Sequence, residues 1–138
     1  MTPPRFLLDT NICIYIRRRR PPEVLARFRS LHAGEAAISA ITYGELRYGA
    51  MKSREREQAL NLLDRLVALL PVLPLPQAAG EAYGAIRAEL ERRGEVIGNN
   101  DLWIAAHALA AGLTLATNNR REFARVGGLQ LADWLEAG

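Results

Sequence analysis

Three acidic residues, with a fourth as a further candidate, stand where a fold could bring them together. Asp9 ends the apolar run Phe6-Leu7-Leu8, and Asp101 opens an apolar helical pattern. The other two are Glu45 and Glu122. Converging carboxylates repel and raise each other's pKa, and a hard divalent cation removes that penalty. Oxygen donors without His or Cys favour Mg²⁺ or Mn²⁺, and such an ion can orient water for in-line displacement at phosphorus.

Three of these acids also have a purely structural interpretation. Asp9 could serve in a turn or a cap, and Asp101 in the first turn of a helix would gain about 0.3–1 kcal/mol from the helix dipole. The segment Thr42-Tyr43-Gly44-Glu45 fits a capping box, in which Thr42 caps a helix and Glu45 reaches back to the Thr42 N–H. Taken singly, none of the three establishes chemistry.

The polar segment Thr117–Phe123 follows the apolar run Leu113–Ala116. It places a hydroxyl, two amides and the Glu122 carboxylate just past a predicted strand, although such composition also suits an ordinary loop. His32 and His107 have no partner at metal-ligand spacing, so a structural role is favoured for both. The sequence contains no Gly-rich phosphate loop, Ser-centred elbow or paired-Cys zinc motif.

Short apolar runs alternate with helical patterns, which predicts an α/β fold with a mostly parallel sheet and helices on both faces. Strands are predicted at Phe6–Leu8, Ala36–Ser39, Val72–Leu75, Leu113–Ala116 and, weakly, Gly128–Leu131. Helices are predicted at 10–16 (capped by Thr10 or Asn11), 21–33, 42–52, 55–70, 77–93 and 99–111 (capped by Asn99 or Asn100), with a final turn at 133–136. Three prolines around the third strand place it at a sheet edge. Ligands of such sheets bind beyond the carboxyl ends of the strands.

The 138 residues predict one domain, residues 1–138, large enough to fold without disulfides. A 49% apolar and 24% charged composition excludes an intrinsically disordered or collagen-like chain. No apolar stretch is long enough to span a membrane, no secretory signal is visible, and the single cysteine, Cys13, cannot form an internal bridge. These features favour a cytoplasmic protein.

The basic residues are almost all arginine: 17 of the 18 cations, with Lys52 the exception. Arginine is the better planar partner for phosphate, so the net charge of +3 leans towards an anionic partner. GC-rich coding would also enrich arginine. The run Arg17–Arg20 is accordingly a candidate RNA-binding patch, with a solvated helix end as the alternative.

Four segments of the sequence together resemble the signature blocks of PIN domains. They are Leu7-Leu8-Asp9-Thr10-Asn11, Thr42-Tyr43-Gly44-Glu45-Leu46, Asn100-Asp101 followed by Ile104-Ala105-Ala106-His107-Ala108, and Thr117-Asn118-Asn119-Arg120-Arg121-Glu122-Phe123. The resemblance spans nearly the whole chain and is greatest to the VapC toxins of bacterial VapBC toxin–antitoxin pairs.

The resemblance implies a magnesium-dependent endoribonuclease that a small VapB-like antitoxin holds inactive. Its structured RNA substrate would be cut by metal-bound water, with Mn²⁺ as an alternative ion. The implied fold is a three-layer α/β/α sandwich with strand order 3-2-1-4-5. The implied catalytic acids are Asp9, Glu45, Asp101 and Glu122, with Asp9 and Asp101 on the metal and Thr10, Asn11, Thr117 and Asn119 in support. Asn119 stands where many PIN domains have Asp, which leaves open whether Asn119 or Glu122 fills the fourth position.

The expected partners follow from the same resemblance and from the amount of apolar surface that the predicted helices offer. A homodimer is expected, with DNA contacted only through the antitoxin. The apolar stripe of residues 55–70 and the first helix offer more apolar surface than one small sheet covers, so part of it should face the antitoxin or a second subunit. Two alternative functions remain. The first is a PIN enzyme that acts on DNA or flaps, although the chain is short for such an enzyme. The second is a binding module with little activity, an alternative that the neutral Asn119 leaves open.

Overall fold

A five-stranded, all-parallel sheet forms the centre of the computed structural model, which describes residues 2–135. The strand order is β3-β2-β1-β4-β5, which confirms the predicted order. The strands are β1 (Phe6–Leu8), β2 (Ala36–Ser39), β3 (Val72–Leu73), β4 (Thr114–Ala116) and β5 (Leu131–Ala132).

Seven helices of the described residues surround the sheet, and six of them match predicted helices. They are α1 (Thr10–Arg18), α2 (Pro22–Arg29), α3 (Ala40–Met51), α4 (Arg56–Leu69), α5 (Gln77–Arg93), α6 (Asn99–Ala111) and α7 (Arg120–Phe123). The short α7 occupies the segment whose structural interpretation was a loop.

Alternation along the strands divides the core between the two faces of the sheet. Phe6 and Leu8 pack with apolar residues of α1, α2 and α4, whereas Leu7 packs on the opposite face with residues of α5 and α6. Leu115 and Ala116 of β4 divide in the same way. The strands β1 and β2 are buried on both faces, as the predicted three-layer α/β/α sandwich requires of its central strands.

The register of β1 against β4 sets the position of the candidate site. Leu8 pairs with Ala116, so Asp9 and Thr117 follow at the same level as the two strands end. The Asp9 N–H donates to the Ala116 carbonyl at 3.0 Å. Asp9 and Thr117 therefore lie beyond the carboxyl ends of two neighbouring parallel strands, where ligands of such sheets bind.

Several predicted boundaries are wrong, each for a local reason. The strand β3 ends at Leu73 because Pro74 follows, and β5 begins at Leu131 rather than Gly128 because Gly128 adopts φ 80° in the preceding turn. The helix α2 ends at Arg29, before the expected Ala33. Helix α6 is preceded by Gly98, which offers no side-chain cap, whereas Asn99 is its first residue. The final turn includes residues outside the described range.

No helix within residues 2–135 is long and apolar enough to cross a membrane. Glu35, directly before β2, forms an ion pair with Arg5, directly before β1, whose side chain is 65% exposed. The Glu35 carboxylate, 5% exposed, accepts hydrogen bonds from the His32 N–H at 2.8 Å and from Arg5 Nη1 at 2.9 Å. These two contacts hold the pKa of Glu35 below its ordinary value, the His32 N–H contributing most.

We expect Glu35→Gln to lower the melting temperature at neutral pH, because the ionised acceptor is lost. A lowered folded pKa means that the stabilisation is present above the unfolded pKa of about 4.3 and disappears as pH falls through the folded value. The difference in melting temperature between wild type and Glu35→Gln should therefore become smaller below about pH 4. A difference that is independent of pH would contradict this assignment.

Candidate active site

Asp9 combines a structural role with a place in the candidate site. It is the N-cap of α1, where its Oδ1 accepts the Ile12 N–H at 3.0 Å, so the predicted caps Thr10 and Asn11 are wrong. Its Oδ2 accepts a hydrogen bond from the Thr117 hydroxyl. Burial raises the pKa of Asp9 despite these hydrogen bonds, and the charge of Glu45 adds to the rise.

Glu45 does not form the capping box that its sequence allows. Ser39 caps α3 by accepting the Ile41 N–H at 3.1 Å, which leaves Thr42 inside the helix with a buried hydroxyl that has no hydrogen-bond partner in the described structure. Glu45 lies one turn into the helix. Its Oε1 accepts the Thr10 hydroxyl at 2.5 Å, and its Oε2 accepts Asn100 Nδ2 at 3.4 Å. The structural interpretation of Glu45 is therefore wrong.

Asp101 lies in the first turn of α6, where the helix dipole alone would lower its pKa. Its pKa is instead raised to about 6, first by burial and then by the charges of Glu45, Asp9 and Glu122. Three further carboxylates thus lie close enough to disfavour ionisation of Asp101. The structure brings all four predicted acids to one site.

The polar segment after β4 places Asn119 beside Glu122. The Asn119 N–H donates to the Thr117 hydroxyl oxygen at 2.9 Å, so Thr117 links the loop backbone to Asp9. Asn119 Nδ2 donates to Glu122 Oε2 at 3.2 Å. Which of these two residues fills the fourth position of the site stays a prediction.

Two residues outside the predicted site also contribute. Asn100 holds Glu45 from a helix that is distant in sequence, and its only signal was its place beside Asp101. Tyr15 Oη accepts a hydrogen bond from Asn118 Nδ2 at 3.0 Å, which ties α1 to the loop after β4. No sequence signal identified Tyr15.

The remaining predicted residues lie around the acids or away from them. The Asn11 backbone N–H acts to lower the pKa of Asp9, whereas its side chain is exposed. The run Arg17–Arg20 lies at the opposite end of α1 from Asp9, about 12 Å along the helix axis, although Arg17 also lines a pocket with Thr10 and Glu45. Arg17 and Arg19 line an apolar groove there with Leu66. A role for this run in RNA binding stays a prediction.

Comparison with known proteins assigns the family. The PIN domain matches residues 6–129. The tRNA(fMet)-specific endonuclease VapC of Shigella flexneri is 46% identical over 94% of this chain and 98% of its own. Ribonuclease VapC2 of Haemophilus influenzae is 43% identical over 95% of this chain and 98% of its own. The chain belongs to the VapC family of PIN-domain proteins.

Solved structures of VapC proteins with their antitoxins have the same fold. DNA-bound VapBC from Salmonella typhimurium matches with a TM-score of 0.89 and 41% identity, covering 95% of this chain and 98% of that one. VapBC2 from Rickettsia felis, bound to a promoter fragment, matches with a TM-score of 0.88 and 40% identity over 94% and 98%. The PIN fold predicted from the four sequence blocks is thus confirmed.

The acids of this VapC fit a hard divalent cation by their chemistry. Within residues 2–135, no three His, Cys, Asp or Glu side chains are close enough to hold one ion together. Mg²⁺ keeps several waters and is usually bound through only one or two carboxylates, so a pair of acids suffices. Burial first, and then the charges of neighbouring carboxylates, raise the pKa of Asp9 and of Asp101, and a bound cation would offset that penalty.

We expect Asp101→Asn to raise the melting temperature of the metal-free protein at pH 7.5. The raised pKa means that ionised Asp101 is disfavoured in the folded state, so wild-type stability increases as pH falls through about 6. Melting curves in EDTA at pH 7.5 and 5.5 should show a smaller rise on acidification for Asp101→Asn than for wild type.

Asp64→Asn is the matched control, because Asp64 is exposed on α4 and distant from this cluster in the sequence. It should leave the pH response unchanged. An Asp101→Asn protein that is less stable than wild type at both pH values would instead support a purely capping role.

Proposed function

We propose that the chain is the toxin of a type II toxin–antitoxin pair and acts as a metal-dependent endoribonuclease on structured RNA. The observation that carries the proposal is the place of Asp9, buried at the end of β1, and of Glu45, held by Thr10 and by Asn100 next to Asp101. In keeping with this arrangement, burial and three neighbouring acids raise the pKa of Asp101 to about 6. Crowding carboxylates at the end of a sheet costs stability, so a structural role alone does not account for it. The names of the relatives, ribonucleases and an endonuclease, support the reaction class.

Asp9 and Asp101 are the residues that would hold Mg²⁺ or, as an alternative, Mn²⁺. When bound, the ion supplies positive charge that activates water and stabilises charge developing at phosphorus. The cap of α1 and the Thr117 hydroxyl fix the orientation of Asp9. These contacts use one lone pair of each oxygen and leave the others for a ligand.

Glu45 is the proposed general base. Thr10 and Asn100 donate hydrogen bonds to its two carboxylate oxygens and so fix the orientation of the group that would take a proton from water. The water oxygen then bonds to phosphorus and the bond to the 3′-oxygen breaks. The products are a 5′-phosphate and a 3′-hydroxyl, and Glu122 supports the site from α7.

Initiator tRNA is the first RNA to test as a substrate. Two relatives, from Shigella flexneri and Salmonella typhimurium, are named tRNA(fMet)-specific endonucleases and are 46% and 42% identical to this chain. The basic excess of the chain, carried almost wholly by arginine, suits a folded polyanion.

The antitoxin is proposed to occupy the groove between α1, α2 and α4. This groove has a volume of about 570 Å³ and combines apolar side chains with a rim of arginines. Its lining includes Leu25, Phe28, Leu62, Leu66, Leu69, Arg17, Arg19, Arg29 and Arg65. A partner segment with apolar anchors and acidic neighbours fits this lining. DNA would be reached only through the antitoxin, and the toxin itself is proposed to be a homodimer.

The second candidate function is a partner-binding module with little nuclease activity. The observation that favours it is Asn119, which is neutral where many PIN domains have an acid. The Asn119 amide donates a hydrogen bond to Glu122 and contributes no negative charge to the site. Cleavage by purified, antitoxin-free protein separates the two functions.

Glu45→Gln should abolish RNA cleavage, by at least about 100-fold, while the melting temperature stays close to that of wild type. Glutamine still accepts the Thr10 hydroxyl, whereas it cannot take a proton from water. Glu57→Gln, on the exposed start of α4, is the matched control and should cleave normally. Cleavage retained in Glu45→Gln would remove Glu45 from the reaction.

Leu69→Glu should weaken inhibition by the antitoxin at least about 10-fold, because it puts a charge among apolar groove residues. Leu69 is 61% exposed although it is apolar. Val96→Glu changes a similarly exposed apolar residue, 46% exposed and outside the groove, and should remain fully inhibited. Cleavage assays with increasing amounts of the adjacent gene's product give the inhibition constants. Equal inhibition of both variants would exclude this groove.

A further inference from the structure

A pair of stacked aromatic rings lies beside the candidate active site and has no part in the reaction described above. The rings of Tyr83 on α5 and Trp103 on α6 have centroids 3.9 Å apart and planes at 14°. Tyr83 packs against the apolar cluster beneath α5 and α6, whereas Trp103 is half-buried and, within the described residues, belongs to neither apolar cluster of the core. A large aromatic side chain that the core does not use needs another explanation.

Hydrogen bonds hold the pair in place from its polar end. Tyr83 Oη contacts Asn99 Oδ1 and accepts a hydrogen bond from Arg87 Nη1 at 2.8 Å. The Arg87 guanidinium also lies 6.0 Å from the centre of the Tyr83 ring and pairs with Glu91 at 3.1 Å. This network fixes the ring of Tyr83 before any partner arrives, so the stack is preorganised.

The pair is connected to the acids through the first turn of α6. Trp103 follows Asn100 by three residues, so the two side chains are neighbours on the helix surface about 4.5 Å apart along its axis. Asn100 in turn contacts Glu45 at 3.4 Å. A continuous surface therefore runs from the proposed general base to the aromatic rings.

We propose that Tyr83 and Trp103 form a stacking platform for an unpaired nucleobase of the RNA, next to the phosphodiester that is cut. The inference rests on the proposed function and adds a specificity-determining surface to it. RNA-binding proteins recognise unstacked bases by stacking them on aromatic side chains. Every base has an aromatic face, so a platform of this kind selects for an unpaired nucleotide rather than for a sequence.

Charge and position favour RNA over a second copy of the chain as the occupant. The net charge is +3, the platform carries Arg87, and its nearest functional group is a residue that would act on a phosphodiester. A homodimer contact through these rings is the other occupant, and it is distinguished by its dependence on protein concentration.

The test is binding of a fluorescently labelled RNA stem-loop, derived from initiator tRNA, in EDTA. Without metal the RNA is bound and not cut, so the measurement does not depend on cleavage. Trp103→Leu should weaken binding between about 5-fold and about 150-fold, the usual range for one lost base stack. Trp103→Phe, which keeps an aromatic face, should restore most of that loss.

Abasic substitutions along the loop identify the stacked base. One abasic position should weaken binding to wild type and have little further effect in Trp103→Leu, because both changes remove the same contact. Abasic effects that simply add to the effect of Trp103→Leu would overturn the proposal. So would equal binding by Trp103→Leu and wild type.

Sedimentation of each variant separates the alternative occupant. If Trp103→Leu converts a dimer to a monomer, and its binding defect disappears at protein concentrations that restore the dimer, the rings are a dimer contact and the proposal is wrong. A wild-type protein that binds the stem-loop through Trp103 but cuts no RNA when Mg²⁺ is added would uphold the platform and contradict the proposed function.

Discussion

The structure depends on one costly arrangement: a carboxylate buried at the end of the central strand, facing other carboxylates. Asp9 is only 5% exposed, and an ionised group so placed is unfavourable unless it is hydrogen-bonded or bound to a cation. The Ile12 N–H and the Thr117 hydroxyl compensate part of that cost. The remainder appears as the raised pKa of Asp9 and of Asp101.

The elements around Asp9 are arranged so that this cost is concentrated at one place. Parallel pairing of β1 with β4 puts Thr117 beside Asp9, and the starts of α3 and α6 bring Glu45 and Asp101 to the same edge. The apolar layers on both sides of the sheet stabilise the fold and so offset the cost of burying carboxylates at this edge. Functional sites commonly carry strain of this kind, which the rest of the fold compensates.

The sequence predicted the parts of this arrangement that follow from periodicity and from chain order. Phe6–Leu8 is apolar at consecutive positions, as in a strand buried on both faces, and Asp9 follows it directly, so its place at the strand end could be inferred. The four acids were singled out by their positions in the sequence, whereas the strand order came from the resemblance of short motifs to a known family. Both inferences use information that is local to a segment.

Contacts between distant segments could not be predicted in this way. Thr42-Tyr43-Gly44-Glu45 carries a capping-box signature, but Ser39 at the end of β2 starts α3 earlier and frees Glu45 to contact Thr10 and Asn100. The stack of Tyr83 on Trp103 depends on the packing of α5 against α6, and neither residue's own segment signals it. The groove beside α1 likewise depends on how α2 and α4 leave its apolar side uncovered.

The central claim is that four acids share one site, and carboxyl-carbon NMR titration of the metal-free protein tests it most directly. The account predicts that Asp101 titrates near pH 6 and that its apparent pKa falls when Glu45, Asp9 or Glu122 is replaced by its amide, because each replacement removes a neighbouring negative charge. An Asp101 that titrates near its ordinary value of about 3.9, and does not respond to these replacements, would contradict the account.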